Sequence, residues 1–136
     1  MILSKKKSIT QSYDELSQQE GYDLMAAVFE VHNEVGGGLA EEVYQESLEE
    51  DSTMRGVPFS EKPGIALFYK GEELKRRHVP DLYAFDGITV ELKAVSELLP
   101  EHEAQLFNYI RLTGKRVGHL INMAPLTGVS WRRFAL

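Results

Sequence analysis

The chain has no cysteine, which excludes disulfides and thiolate metal sites and is compatible with a reducing compartment. It has no apolar run of about 18 residues, and no charged leader with an apolar stretch and a small-residue cleavage site. Neither a membrane span nor a secretory signal is therefore expected, and a cytoplasmic location is the default. Acidic residues are missing from the last part of the chain, since all 21 lie at or before Glu103. Residues 1–104 thus carry a net −11 and residues 105–136 a net +5, from Arg111, Lys115, Arg116, Arg132 and Arg133, giving −6 in all. That balance argues against a protein that simply coats nucleic acid. It leaves open a phosphate-facing patch beside a metal-facing one, or merely solvated helix faces.

What is present fits a single domain: 136 residues, 43% apolar and 26% charged, enough to bury roughly two thirds of the unfolded surface. Residues 1–18 hold the Lys5-Lys6-Lys7 run and no sustained period, so they read as a flexible N-terminal arm, with one domain over 19–136. From Gly21 to Val35, Leu24, Met25, Val28, Phe29 and Val31 recur at helical spacing before Gly36-Gly37-Gly38. A second helix is expected over 39–54, with Val43, Tyr44, Ser47 and Leu48 inward and Gly56 as its stop. Residues 57–69 and 72–79 read as strands around Lys70-Gly71. Pro100 suits the first turn of a third helix that ends at Gly114. Residues 117–123 look like a buried strand, and 129–136 like a final strand or extended tail. Helices packed on a sheet make this a mixed α/β sandwich.

Residues 79–95, VPDLYAFDGITVELKAV, read as a hairpin. A two-residue turn at Asp86-Gly87 would mix apolar and charged groups on both faces. A three-residue loop, Phe85-Asp86-Gly87, with Gly87 left-handed, instead pairs Asp81 with Glu91, Tyr83 with Thr89 and Val79 with Lys93. Leu82, Ala84, Ile88, Val90 and Leu92 then share the opposite face, so the apolar pattern selects this register. Two facing carboxylates are destabilising unless neutralised, and a hard cation such as Mg²⁺ or Mn²⁺ would neutralise them. Lys93 on the same face could orient an attacking water or offset phosphate charge. The alternative is an ordinary polar strand face turned to solvent.

Asp81, nine residues, then Glu91-Leu92-Lys93 resembles the D…ExK signature of the PD-(D/E)xK nuclease superfamily, with Pro80 before Asp81. GLAEEVY, Gly38 to Tyr44, resembles the pattern of the GxxExxY family of small bacterial and archaeal proteins in that superfamily. HEAQLFNYIRLTGKRVGHLIN, residues 102–122, is similar to their helix-strand segment, with Gln105 to Tyr109 as a QxxxY motif of RecB-like nucleases. The resemblance spans about residues 21–134. VGGGLAE departs from it, where many relatives carry a proline and a bulkier residue, but no candidate site position is lost.

The resemblance implies a restriction-endonuclease-like core, a mixed central β-sheet flanked by helices. It makes Asp81 and Glu91 metal ligands, Lys93 the catalytic lysine, and Glu41 a third acid that binds the ion directly or through water. Beside these implied roles, Glu41 can equally be read as a surface glutamate next to Glu42. Tyr44 would buttress. Gln105 and Tyr109, four apart on one helical face, would support the Lys93 strand or touch phosphate, or be satisfied interior polar groups. His32 would be an additional metal ligand, as an N-terminal-helix histidine is in some RecB-like nucleases; otherwise it is structural. His102 and His119 are weaker candidates for any site.

The function so implied is Mg²⁺- or Mn²⁺-dependent hydrolysis of DNA or RNA phosphodiesters in a prokaryotic cell. Lys75, Arg76, Arg77 and Arg111 would grip the backbone rather than the bases. A homodimer or partner subunit could complete the substrate channel. The competing reading is a non-hydrolytic nucleic-acid-binding or assembly module that keeps the fold, and a third is a purely structural α/β protein with a polar strand face.

Overall fold

The computed structural model describes the backbone from Ile2 to Leu136 and side chains from residue 18 onward. The arm expected over residues 1–18 falls outside the described side chains, save Gln18. Helix α1 spans Ile2–Val35. Its buried stripe, Leu24, Met25, Ala27, Val28 and Val31, follows the helical period, whereas Phe29, expected inward, is 43% exposed. Helix α2 spans Glu41–Arg55 and is stopped by Gly56 in the left-handed conformation. It buries Tyr44, Gln45, Leu48 and Ser52. A stripe centred on the 44/48/52 row turns Val43 outward and leaves Ser47 half-buried, which corrects the expected inward set.

The turn between these helices is fixed by close approach. The Tyr44 hydroxyl donates to the Gly36 carbonyl at 2.8 Å and accepts the Leu39 N–H at 3.1 Å. The Gly38 N–H donates to Ala124 O at 2.9 Å. A Cβ on Gly37 would lie 2.5 Å from Pro125 O and 2.6 Å from Ala124 O. The backbones are pressed together there, and only glycine fits.

The expected strand over 57–69 is two strands, β1 (Phe59–Glu61) and β2 (Ile65–Tyr69), separated by a bend at Lys62 (φ 43°) and Pro63. Proline cannot donate to a ladder, so the chain leaves one sheet there and enters another. β2 pairs with β3 (Glu72–His78) in a two-stranded ribbon. β1 edges a five-stranded sheet with β4 (Leu82–Ala84), β5 (Ile88–Lys93), β6 (Val117–Asn122) and β7 (Ser130–Ala135), in the order β1-β4-β5-β6-β7. β5 and β6 are parallel, joined across α3 (Pro100–Thr113), and the other neighbours are antiparallel. This is the expected mixed sheet flanked by helices.

The β4–β5 register is the expected one: Tyr83 faces Thr89, Ala84 faces Ile88 and Leu82 faces Val90. The loop conformation differs, because Phe85 (φ 53°) and Asp86 (φ 52°) take the left-handed region rather than Gly87. Two central residues with positive φ match the twist of a tight hairpin. The loop is held by Gly87 N–H to Ala84 O at 3.1 Å, and by the Tyr83 hydroxyl donating to Asp86 O at 2.9 Å. Ile88, Val90 and Leu92 pack into the main core with α1 and α2. On the opposite face Leu120 packs with Leu106 and Ile110 of α3. Alternation therefore turns Glu91 and Lys93 toward α3.

Candidate active site

The ladder between β4 and β5 stops at Leu82, and the expected cross-strand pairs Asp81–Glu91 and Val79–Lys93 are not formed. The Asp81 N–H donates to Val90 O at 3.1 Å, and Asp81 Oδ2 accepts the Leu92 N–H at 2.7 Å. Pro80 fixes the backbone just before this point, and the carboxylate takes over a donor that a continued ladder would have satisfied. Gln45 of α2 secures the same residue by donating from Nε2 to Asp81 O at 2.8 Å. Lys62 Nζ stands 3.6 Å from Asp81 Oδ1.

Asp81 lines a cavity of about 140 Å³ with Glu41, Glu42, Gln45, Glu46 and Lys62. Burial, and after it the Asp81 charge, pushes the Glu41 carboxyl above the ordinary carboxylate range, while Lys93 pulls it back. Glu41, Asp81 and Lys93 are thus electrostatic neighbours, although they come from α2, the approach to β4 and the end of β5. Close by, burial and then a hydrogen bond with Glu61 lift the Glu49 carboxyl to about 7.

Glu91 and Lys93 line a second, larger cavity of about 380 Å³. Gln105 and Tyr109 of α3 border it, as do Arg76 and Arg77 of β3. Glu91 is turned to His78, whose Nε2 lies 3.0 Å from Glu91 Oε1. The His78 ring stacks on Tyr109 at 3.9 Å and 8°, and its buried Nδ1 has no hydrogen-bond partner. Tyr109 therefore buttresses a histidine, which in turn holds Glu91. His78 was not anticipated; its signal is that one histidine ends EELKRRH, a strand otherwise fully exposed. Gln45 and Lys62 were also missed, and no sequence pattern marks them.

The other expected residues lie apart from these cavities or serve the scaffold. Arg111 is exposed on α3, donating to Asn108 Oδ1 at 3.3 Å. His32 directs Nε2 at the Pro125 carbonyl at 2.8 Å, which makes that nitrogen a donor and removes it as a metal ligand. His102 borders the larger cavity as well, and its Nδ1 accepts the Leu99 N–H at 3.0 Å, closing the first turn of α3.

Among the described residues no three His, Asp or Glu side chains form a ready cage for a metal ion. The donor set still suits a hard cation that takes only one or two carboxylates and completes its shell with water and phosphate. Asp81 and Glu41 share one cavity, and the burial and the Asp81 charge that raise the Glu41 carboxyl are what a bound cation would offset.

The sheet has helices on both faces, with Asp81, Glu91 and Lys93 near one end of its β4–β5 hairpin. A family model described as the PD-(D/E)XK nuclease superfamily matches residues 18–134, and the chain belongs to that superfamily. No curated protein matches the chain. It is similar in fold to the crystal structure of SSO0001, at 18% identity and a TM-score of 0.53, over 69% of this chain and 48% of that one. An alkaline exonuclease (LHK-Exo) from Laribacter hongkongensis aligns at 13% identity and a TM-score of 0.49, over 69% and 55%. The chain spans about half the length of these solved structures. Among the described residues no helix is long and apolar enough to cross a membrane.

Proposed function

We propose that this chain is a divalent-metal-dependent nuclease that hydrolyses phosphodiester bonds, with DNA as substrate, and that it belongs to the GxxExxY group within its superfamily. The observation that supports this most is that Glu41, in one cavity with Asp81, feels the charges of both Asp81 and Lys93 at one end of β5. In this reading Asp81 and Glu41 hold Mg²⁺ or Mn²⁺, and Glu91 completes the set once released from His78. The ion, when bound, supplies Lewis acidity and an activated water. Lys93 steadies charge developing on the phosphate, and Gln105, Arg76 and Arg77 hold the backbone of the strand.

The second reading is a module that keeps the fold without hydrolysis. It draws on the Glu91–His78 hydrogen bond, which points one of the acids away from Asp81. Calorimetric titration of Mn²⁺ into wild type and Asp81→Asn, with cleavage assays on single- and double-stranded DNA and RNA, separates the two. The nuclease reading expects Mn²⁺ binding that Asp81→Asn loses, and cleavage that Lys93→Ala reduces by at least about 100-fold. Binding with no cleavage of any substrate would support the module instead, and absence of binding would sink the metal site.

A further inference from the structure

On the face of the sheet away from Lys93, α1 does not close fully onto β6 and β7. A cavity of about 490 Å³ lies between them, within the ~300–1,000 Å³ usual for small-molecule sites. Its walls are mostly apolar: Met25, Ala26 and Phe29 from α1 and Trp131 from β7. At its base stands His119, 1% exposed, with neither ring nitrogen hydrogen-bonded. The imidazole stacks on Trp131 at 5.5 Å and 16°, a contact that uses the ring face and leaves both buried nitrogens unpaired. Gly21 lies against the Nε2 side of the ring, where a Cβ would meet Cε1 and Nε2 at 3.4 Å, an ordinary contact distance. Arg133, exposed at the mouth, has no acidic partner among the described residues. Tyr22, 73% exposed, completes an aromatic rim.

A buried polar group without a partner calls for an explanation, and a neutral imidazole offers one donor and one acceptor. Burial first, and then the Arg133 charge, lowers the His119 pKa to about 4, so the ring is neutral in ordinary buffers. The complement of these features is a flat heteroaromatic ring, with donors and acceptors on its edge and an anionic group attached. We propose that this cavity binds a nucleotide, its base against Trp131 and Phe29 with its edge on His119, and its phosphate at Arg133. The site is separate from the candidate active centre and does not depend on the hydrolytic reading. The nucleotide is either free or a unit of a strand.

Trp131 is the chain's one tryptophan, so its emission reports on this cavity directly. The test titrates wild-type protein with the four nucleoside 5′-monophosphates, the matching nucleosides, inorganic phosphate and a short single-stranded oligonucleotide. Saturable quenching is expected with a monophosphate or the oligonucleotide, and which of them binds tells free nucleotide from strand. His119→Phe should weaken binding at least tenfold while keeping the stack on Trp131. Arg133→Gln should weaken the monophosphate and leave the nucleoside nearly unchanged. Ala26→Leu should abolish quenching by filling the cavity, and circular dichroism confirms that each variant is folded. Lys93→Ala should bind the monophosphates as wild type does. Absence of saturable quenching in the wild type would overturn the proposal. So would equal binding in His119→Phe and Ala26→Leu, or binding lost in Lys93→Ala alone.

Discussion

His78 is the residue on which the candidate active site is hung. It is the buried end of an exposed strand, it lies face to face with Tyr109, and it holds Glu91 through Nε2. His78→Ala removes the stack, opens space, and leaves Glu91 without its partner. We expect a loss of roughly 2–3 kcal/mol in urea unfolding. His78→Gln should recover part of that through an amide hydrogen bond but not the stack, and equal losses in the two variants would show that Glu91 is not being held. At this scale the sequence offers the candidate acids and the lysine. Asp81, Glu91 and Lys93 can be named from their spacing, because charge within an otherwise apolar stretch stands out, and Glu41 from the resemblance alone. His78, Gln45 and Lys62 were not legible, because each comes to the site from another element by tertiary packing.

Among the elements, the α1–α2 turn carries the sharpest steric constraint. Gly37 packs its backbone against the Ala124 and Pro125 carbonyls at distances that admit no side chain. Gly37→Ala should therefore cost about 1–3 kcal/mol, as forced overpacking does, and lower the thermal midpoint. A midpoint unchanged within error would mean that the turn can move. The strands show why element-level reading succeeds in part. Alternation of apolar residues determined the β4–β5 register, since a slip by one would expose the core face. It did not reveal that Asp81 would leave the ladder and accept the Leu92 N–H on its side chain. Nor did it separate β1 from β2, because a bend at Lys62-Pro63 within a long strand-like run changes partner without changing composition.

For the molecule as a whole, acid stability should follow His119. Its folded-state pKa of about 4 lies below the 6.5 of an unfolded histidine, so the unfolded chain binds a proton that the native chain refuses. The contribution is therefore fully present above pH 6.5 and is lost as the pH falls from there toward 4. At about 1.4 kcal/mol per tenfold change in proton affinity, the loss is roughly 3 kcal/mol. His119→Phe should flatten the stability profile between those values, and an unchanged slope would assign acid lability to other groups. The charge division along the chain does not survive as a simple basic end, since Arg132 pairs with Glu103 at 3.2 Å. The sequence by itself determined the second and third helices, the hairpin register and the superfamily, because periodicity, turn residues and motif spacing are local properties. Only the tertiary structure decided that Glu91 faces His78, that Glu41 feels both Asp81 and Lys93, and that His119 is buried without a partner. Those relations depend on which elements are packed against one another, and side-chain orientation and desolvation exist only after packing.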